Sequence, residues 1–116
     1  MVTQPVILAL DWKPAGSPIY KNIETLVRVD IRDNEVENLD NYNLILIHSP
    51  YDIGYLIRLL DKTEKNKIPL VLQGASVSIL ISDERLNKYL YRINVCNNYD
   101  QAFSRIKEIL KINKTT

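Results

Sequence analysis

Four short apolar runs, each cut off by a polar or turn cluster, constrain this chain most. Val6-Ile7-Leu8-Ala9-Leu10 stops at Asp11, and Leu44-Ile45-Leu46-Ile47 stops at His48-Ser49-Pro50. Ile68-Pro69-Leu70-Val71-Leu72 stops at Gln73-Gly74-Ala75-Ser76, and Tyr91-Arg92-Ile93-Asn94-Val95 stops at Cys96-Asn97-Asn98. Continuous β-prone runs of this length suit strands covered on both faces, as in a parallel sheet. A fifth segment, Leu26-Val27-Arg28-Val29-Asp30-Ile31, alternates, with Val27, Val29 and Ile31 on one side and Arg28 and Asp30 on the other. One buried face and one wet face place this strand at a sheet edge.

Helical signals fill the gaps. Ser49-Pro50-Tyr51-Asp52 reads as an N-cap, a proline at the first helical position and an early acidic residue. Ile53, Leu56, Ile57 and Leu60 then repeat at helical spacing. Ser82-Asp83-Glu84 starts a helix through Leu86, Tyr89 and Leu90. The last helix opens with Asn98 as cap and Gln101 three residues on, and its stripe is Ala102, Phe103, Ile106, Ile109 and Leu110. Lys111 and Lys114 suit its negative end. The first helix, within Ser17–Ile23, has room for only about two turns. The second, in the polar stretch Asp33–Asn43 with Val36 and Leu39, has one at most.

Right-handed crossovers between short parallel strands give a three-layer α/β/α sandwich with a five-stranded parallel sheet. The strand order 2-1-3-4-5 explains the alternation of strand two, which then lies at an edge. The 116 residues form a single α/β domain over 1–116, with 112–116 as a frayed tail.

Composition removes several chemistries. One cysteine, Cys96, excludes a disulfide scaffold, and one histidine, His48, excludes a usual zinc set, so no metal site is expected. With 15 basic and 14 acidic residues, the net charge of +1 gives no strong nucleic-acid signal. No apolar run approaches the ~20 residues of a membrane span, and Met1–Pro5 lacks the pattern of a signal peptide, so a cytoplasmic location is expected. The phosphate-loop, dinucleotide and nucleophile-elbow glycine motifs do not occur, and no cofactor is expected.

Ligands of open α/β sheets sit beyond the strand carboxyl ends where the strand order reverses. The ligand-binding candidates delivered there are Asp11, Lys13, Ser17, His48, Gly74, Ser76 and Asn97. His48 is a candidate general base or phosphoryl acceptor, since an imidazole is the side chain whose ordinary pKa lies nearest neutrality; the plainer role is a strand-end histidine bonded to a neighbouring loop. Asp11 could orient His48 or hold a cation, or cap a turn or pair with Lys13. Ser76, after Gly74, could donate to a phosphate or serve as a turn serine. Ser49 and Asp52 are explained by capping; Cys96 reads as a small buried hydrophobe, the alternative being a nucleophilic thiol, for which only His48 could serve as partner.

The second half of the chain resembles a receiver domain of two-component signalling, a flavodoxin-like fold. Asn43-Leu44-Ile45-Leu46-Ile47-His48 is similar to the strand that ends in the phosphoacceptor aspartate, and Asp52–Leu60 to the helix that follows it. Ile68–Leu72 is similar to the next strand, Tyr99–Leu110 to the closing helix, and Asp11 stands where acidic metal ligands would. His48 replaces the phosphoacceptor, no second acidic residue adjoins Asp11, Gly74-Ala75 replaces the switch hydroxyl, and Asn97 stands in place of the lysine. The resemblance therefore implies a receiver-like module without aspartyl phosphorylation. Asp11 and Gly16 also keep the spacing of the Asp-x-His-x-x-Gly cobalamin motif, but Lys13 stands where the cobalt-ligating histidine would.

Two functions follow. The first is a non-enzymatic regulatory or protein-interaction module, a homodimer using Trp12, Tyr89, Tyr91 and Tyr99, since tyrosine and tryptophan are favoured at interfaces. The second is a small-ligand or phosphate-binding protein, or a small phosphoryl-handling enzyme, using Asp11, His48 and Ser76.

Overall fold

A computed structural model describes residues 5–10, 27–32, 38–48, 53–74 and 81–111. Five parallel strands form one sheet: β1 (Val6–Leu10), β2 (Arg28–Arg32), β3 (Leu44–His48), β4 (Leu70–Gln73) and β5 (Ile93–Cys96). Their order is β2-β1-β3-β4-β5, as the apolar runs predict. Helix α1 (Ile53–Thr63) joins β3 to β4, a 3-10 helix (Glu84–Arg92) precedes β5, and α2 (Tyr99–Leu110) closes the chain.

The strands β1, β3 and β4 alternate between two apolar clusters, which explains why their runs carry no polar residues. Leu8, Leu10, Ile45, Ile47, Leu70 and Leu72 pack with Leu56, Leu59 and Leu60 of α1 and with Leu86 and Tyr89. Ile7, Ala9, Leu44, Leu46 and Val71 pack with Ala102 and Ile106 of α2. Burial of each large aliphatic side chain contributes about 1.5–3 kcal/mol. The register lines up Leu10, Ile47, Leu72 and Val95 across four adjacent strands. The edge strand β2 also behaves as its alternation implies. Val27, just before it, and Val29 pack inward, and Arg28 faces out and pairs with Asp30 at 3.3 Å. Asp30 is nonetheless partly covered, because the Tyr42 hydroxyl donates to its carboxylate at 3.0 Å.

The helix expected from Ser82 is a 3-10 helix, and its buried stripe differs from Leu86, Tyr89 and Leu90. Leu86, Tyr89 and Arg92 are the buried residues. Their spacing of three matches the 3.0 residues per turn of this helix, in which side chains at i and i+3 eclipse. Leu90 falls off that stripe and is exposed. Tyr91 and Arg92 accordingly belong to the helix rather than to β5. Asp83 caps it, accepting from the Arg85 backbone N–H at 2.9 Å, and the Arg85 guanidinium holds the Asp83 carboxyl down to about 2.

The cap of α2 forms as the sequence implies. Asn98 Oδ1 accepts from the Gln101 N–H at 2.9 Å, and Gln101 Oε1 accepts from the Asn97 N–H at 2.9 Å. One helix-start donor, the Gln101 N–H, and the N–H of the residue before the cap are thereby satisfied. Lys111 ends the helix in the left-handed region, with φ 56°. The predicted first helix, the Ser49–Asp52 cap and the 112–116 tail lie outside the described residues.

Candidate functional site

The carboxyl ends of three neighbouring strands bring His48, Gln73 and Cys96 into one row, since His48 pairs in register with Gln73 and Gln73 with Cys96. His48 is half-buried, and its Nδ1 lies 2.6 Å from Gln73 Oε1. With that oxygen as acceptor, Nδ1 carries the hydrogen, which fixes the ring in one plane. Gln73 is buried, so this bond also satisfies an amide that would otherwise cost free energy inside the protein. Gly74 follows at φ 140°, a backbone region reserved for residues without a Cβ.

Cys96 does not join this pair. Gln73 stands between them, putting two strand spacings, roughly 10 Å, between the His48 and Cys96 backbones. The thiol is buried, and that burial pushes its pKa up, against a smaller opposing pull from Arg105. It is therefore a core side chain, as its place at a strand end implies. Asn97 is exposed and spends its N–H on the start of α2. Asp11, Trp12, Lys13, Ser17 and Ser76 lie outside the described residues. Among the described residues no group of His, Cys, Asp and Glu is placed to hold a metal ion, and no helix is long and apolar enough to cross a membrane.

The interface candidates divide. Tyr89 is buried, correcting its reading as an exposed contact residue. As the middle member of the 86–89–92 stripe it points into the core, and its hydroxyl donates to the Asp61 carboxylate. That carboxylate, helped by burial, raises the Tyr89 pKa. Tyr91 is 63% exposed, and its hydroxyl donates to Glu64 Oε2 at 2.8 Å. The side chain of Tyr99 lies outside the described residues. Leu90, which the sequence places on the helix stripe, and Val95, which it places at the end of an apolar run, are 41% and 43% exposed. These three large apolar side chains fall between residues 90 and 95, on the last turn of the 3-10 helix and on the edge strand β5.

Arg92 anchors this edge and was also unsignalled. Its guanidinium is buried and donates to Leu60 O at 2.8 Å, Ile68 O at 2.7 Å, Thr63 Oγ1 at 2.9 Å and Glu64 Oε1 at 3.0 Å. Leu60 O is one of the four carbonyls that the carboxyl end of α1 leaves without an intrahelical donor, and a cation there also meets the helix dipole favourably. Glu64 is held at about 2 by hydrogen bonds from Lys67 and Tyr91, with Arg92 adding to the pull. The edge that carries the exposed apolar residues is thus fixed to α1 by a hydrogen-bonded cation.

No family model, no curated protein and no solved structure matches the chain. The sheet order is consistent with a flavodoxin-like α/β fold, and the functional reading rests on the site itself.

Proposed function

We propose that the chain is a non-enzymatic, receiver-like regulatory or interaction module that works in the cytoplasm as a homodimer through its β5 edge. The observation that carries this reading is the exposure of Leu90, Tyr91 and Val95 on a segment held rigid by Arg92. Exposed aromatic and aliphatic residues on a pre-ordered backbone bind with little loss of conformational entropy. The buried thiol of Cys96 supports a module rather than a cysteine enzyme, and a lone thiol suits a reducing compartment. Sedimentation at micromolar concentration tests the reading. A dimer weakened by Tyr91→Ala is expected, and a strict monomer would remove it.

A second reading is supported by the His48–Gln73 pair: a small-ligand or phosphate-binding protein, or a phosphoryl-handling enzyme, using Asp11, His48 and Ser76. A ring oriented by its neighbour and followed by a glycine suits a ligand crevice. Titration with inorganic phosphate tests it, the expected result being a shift of the His48 ring resonances that Ser76→Ala abolishes. Unmoved resonances in the unsubstituted protein would reject it.

A further inference from the structure

The two edges of the sheet are guarded unequally. β2 carries the charged side chains of Arg28 and Asp30, and charges of this kind keep a strand edge from pairing with another chain. β5 reads Ile93-Asn94-Val95-Cys96, with neither charge nor proline. Val95 is also the end of an interior row, because Leu10, Ile47 and Leu72, which precede it across the sheet, are fully buried. The row stops at Val95 only because the sheet stops there: among the described residues no strand pairs with the outer side of β5.

Resting on the reading of this edge as an interaction surface, we propose that two copies of the chain join β5 to β5 about a twofold axis through Val95, making one continuous ten-stranded sheet. A strand related to itself by a twofold axis runs antiparallel to its copy, and residues directly opposite then point to the same face. The two Val95 side chains meet and extend the buried row into the partner. Charge selects a second copy over a partner of one sign. The charged residues lining the cleft beside Val95 are Asp100, Arg105 and Glu108 of α2, all exposed, the last two 3.4 Å apart. A strip carrying both signs can pair with its own copy across a twofold axis, with Arg105 of one copy facing Glu108 of the other. The net charge of +1 opposes approach only weakly.

Cysteine placement tests this geometry in the full chain. Val95→Cys in a Cys96→Ala background is expected to give a disulfide-linked dimer under mild oxidation, because directly opposite residues lie within about 4.5–5.5 Å. Tyr91→Cys in the same background is at a more exposed position but lies four residues from the axis, and no link is expected. Val95→Lys is expected to stay folded by circular dichroism and to weaken self-association about tenfold or more. A dimer in which neither cysteine links, or in which position 91 links and 95 does not, overturns the strand pairing and leaves the interaction reading standing. A chain that is monomeric without substitution overturns both.

Discussion

Arg92, at the end of the 3-10 helix, donates through Nη1 to the hydroxyl of Thr63 at the end of α1, across 2.9 Å. The same hydroxyl turns back on its own helix and donates to Leu59 O at 2.9 Å. Removing the guanidinium therefore takes a charged donor from the buried carbonyls of Leu60 and Ile68 and leaves the Thr63 hydroxyl only its bonds within α1. Arg92→Met is expected to cost about 2–4 kcal/mol, and Thr63→Val about 1–2 kcal/mol, since it keeps the shape but removes both the bond from Arg92 and the hydroxyl's bond back to its own helix. Urea denaturation measures both, and an Arg92→Met protein as stable as the parent would contradict the arrangement.

The acid limb of stability depends on Glu64. Its folded pKa of about 2 lies below the ordinary 4.5, so its contribution is complete above pH 4.5 and is lost as the pH falls through 2. Asp83, also held at about 2, acts in a similar window. Glu64→Gln is expected to flatten the fall in the urea midpoint between those two pH values, and Asp83→Asn to flatten the remainder. Parallel pH profiles for the parent and both variants would count against the assignment.

The three-residue stripe of the 3-10 helix gives a prediction that an α-helical reading reverses. Leu86→Ala creates a buried cavity and is expected to cost about 2–5 kcal/mol, whereas Leu90→Ala at an exposed position costs about 0.5 kcal/mol or less. An α-helical stripe through Leu86, Tyr89 and Leu90 makes both substitutions costly. Denaturation of the two variants at a concentration where the chain is monomeric separates these outcomes.

Cys96 is buried and its thiol is pushed up, so it is expected to resist alkylation at neutral pH until the protein unfolds. Iodoacetamide labelling across a urea series should follow the unfolding curve. Fast labelling of the folded chain would place the thiol at the surface.

The sheet was legible because its signal is local and repeated: apolar runs mark doubly covered strands, and the alternation at Val27, Val29 and Ile31 marks the edge. The Asn98–Gln101 cap was legible for the same reason, being two side chains at fixed spacing. The 3-10 helix was not, because Leu86 and Tyr89 fit both a 3.6 and a 3.0 period, and only burial of Arg92 decides between them. A charged residue in an apolar neighbourhood reads as exposed unless its acceptors are known, and those of Arg92 lie more than twenty positions away in sequence. The candidate site was half legible: strand-end placement brings out His48 and Gly74, while the Gln73 contact to His48 depends on inter-strand register, which composition does not encode. Val95 was overlooked as one more residue of an apolar run. Its meaning comes from standing last in a row that is buried everywhere else.

The central claim, that this chain acts through the β5 edge, is tested most directly by following backbone amide resonances through a dilution series. The account predicts concentration-dependent shifts at residues 90–96 and along the Arg105–Glu108 strip, with the amides of His48 and Gly74 unmoved. Spectra unchanged across the series, or shifts confined to the His48–Gly74 edge, would contradict it.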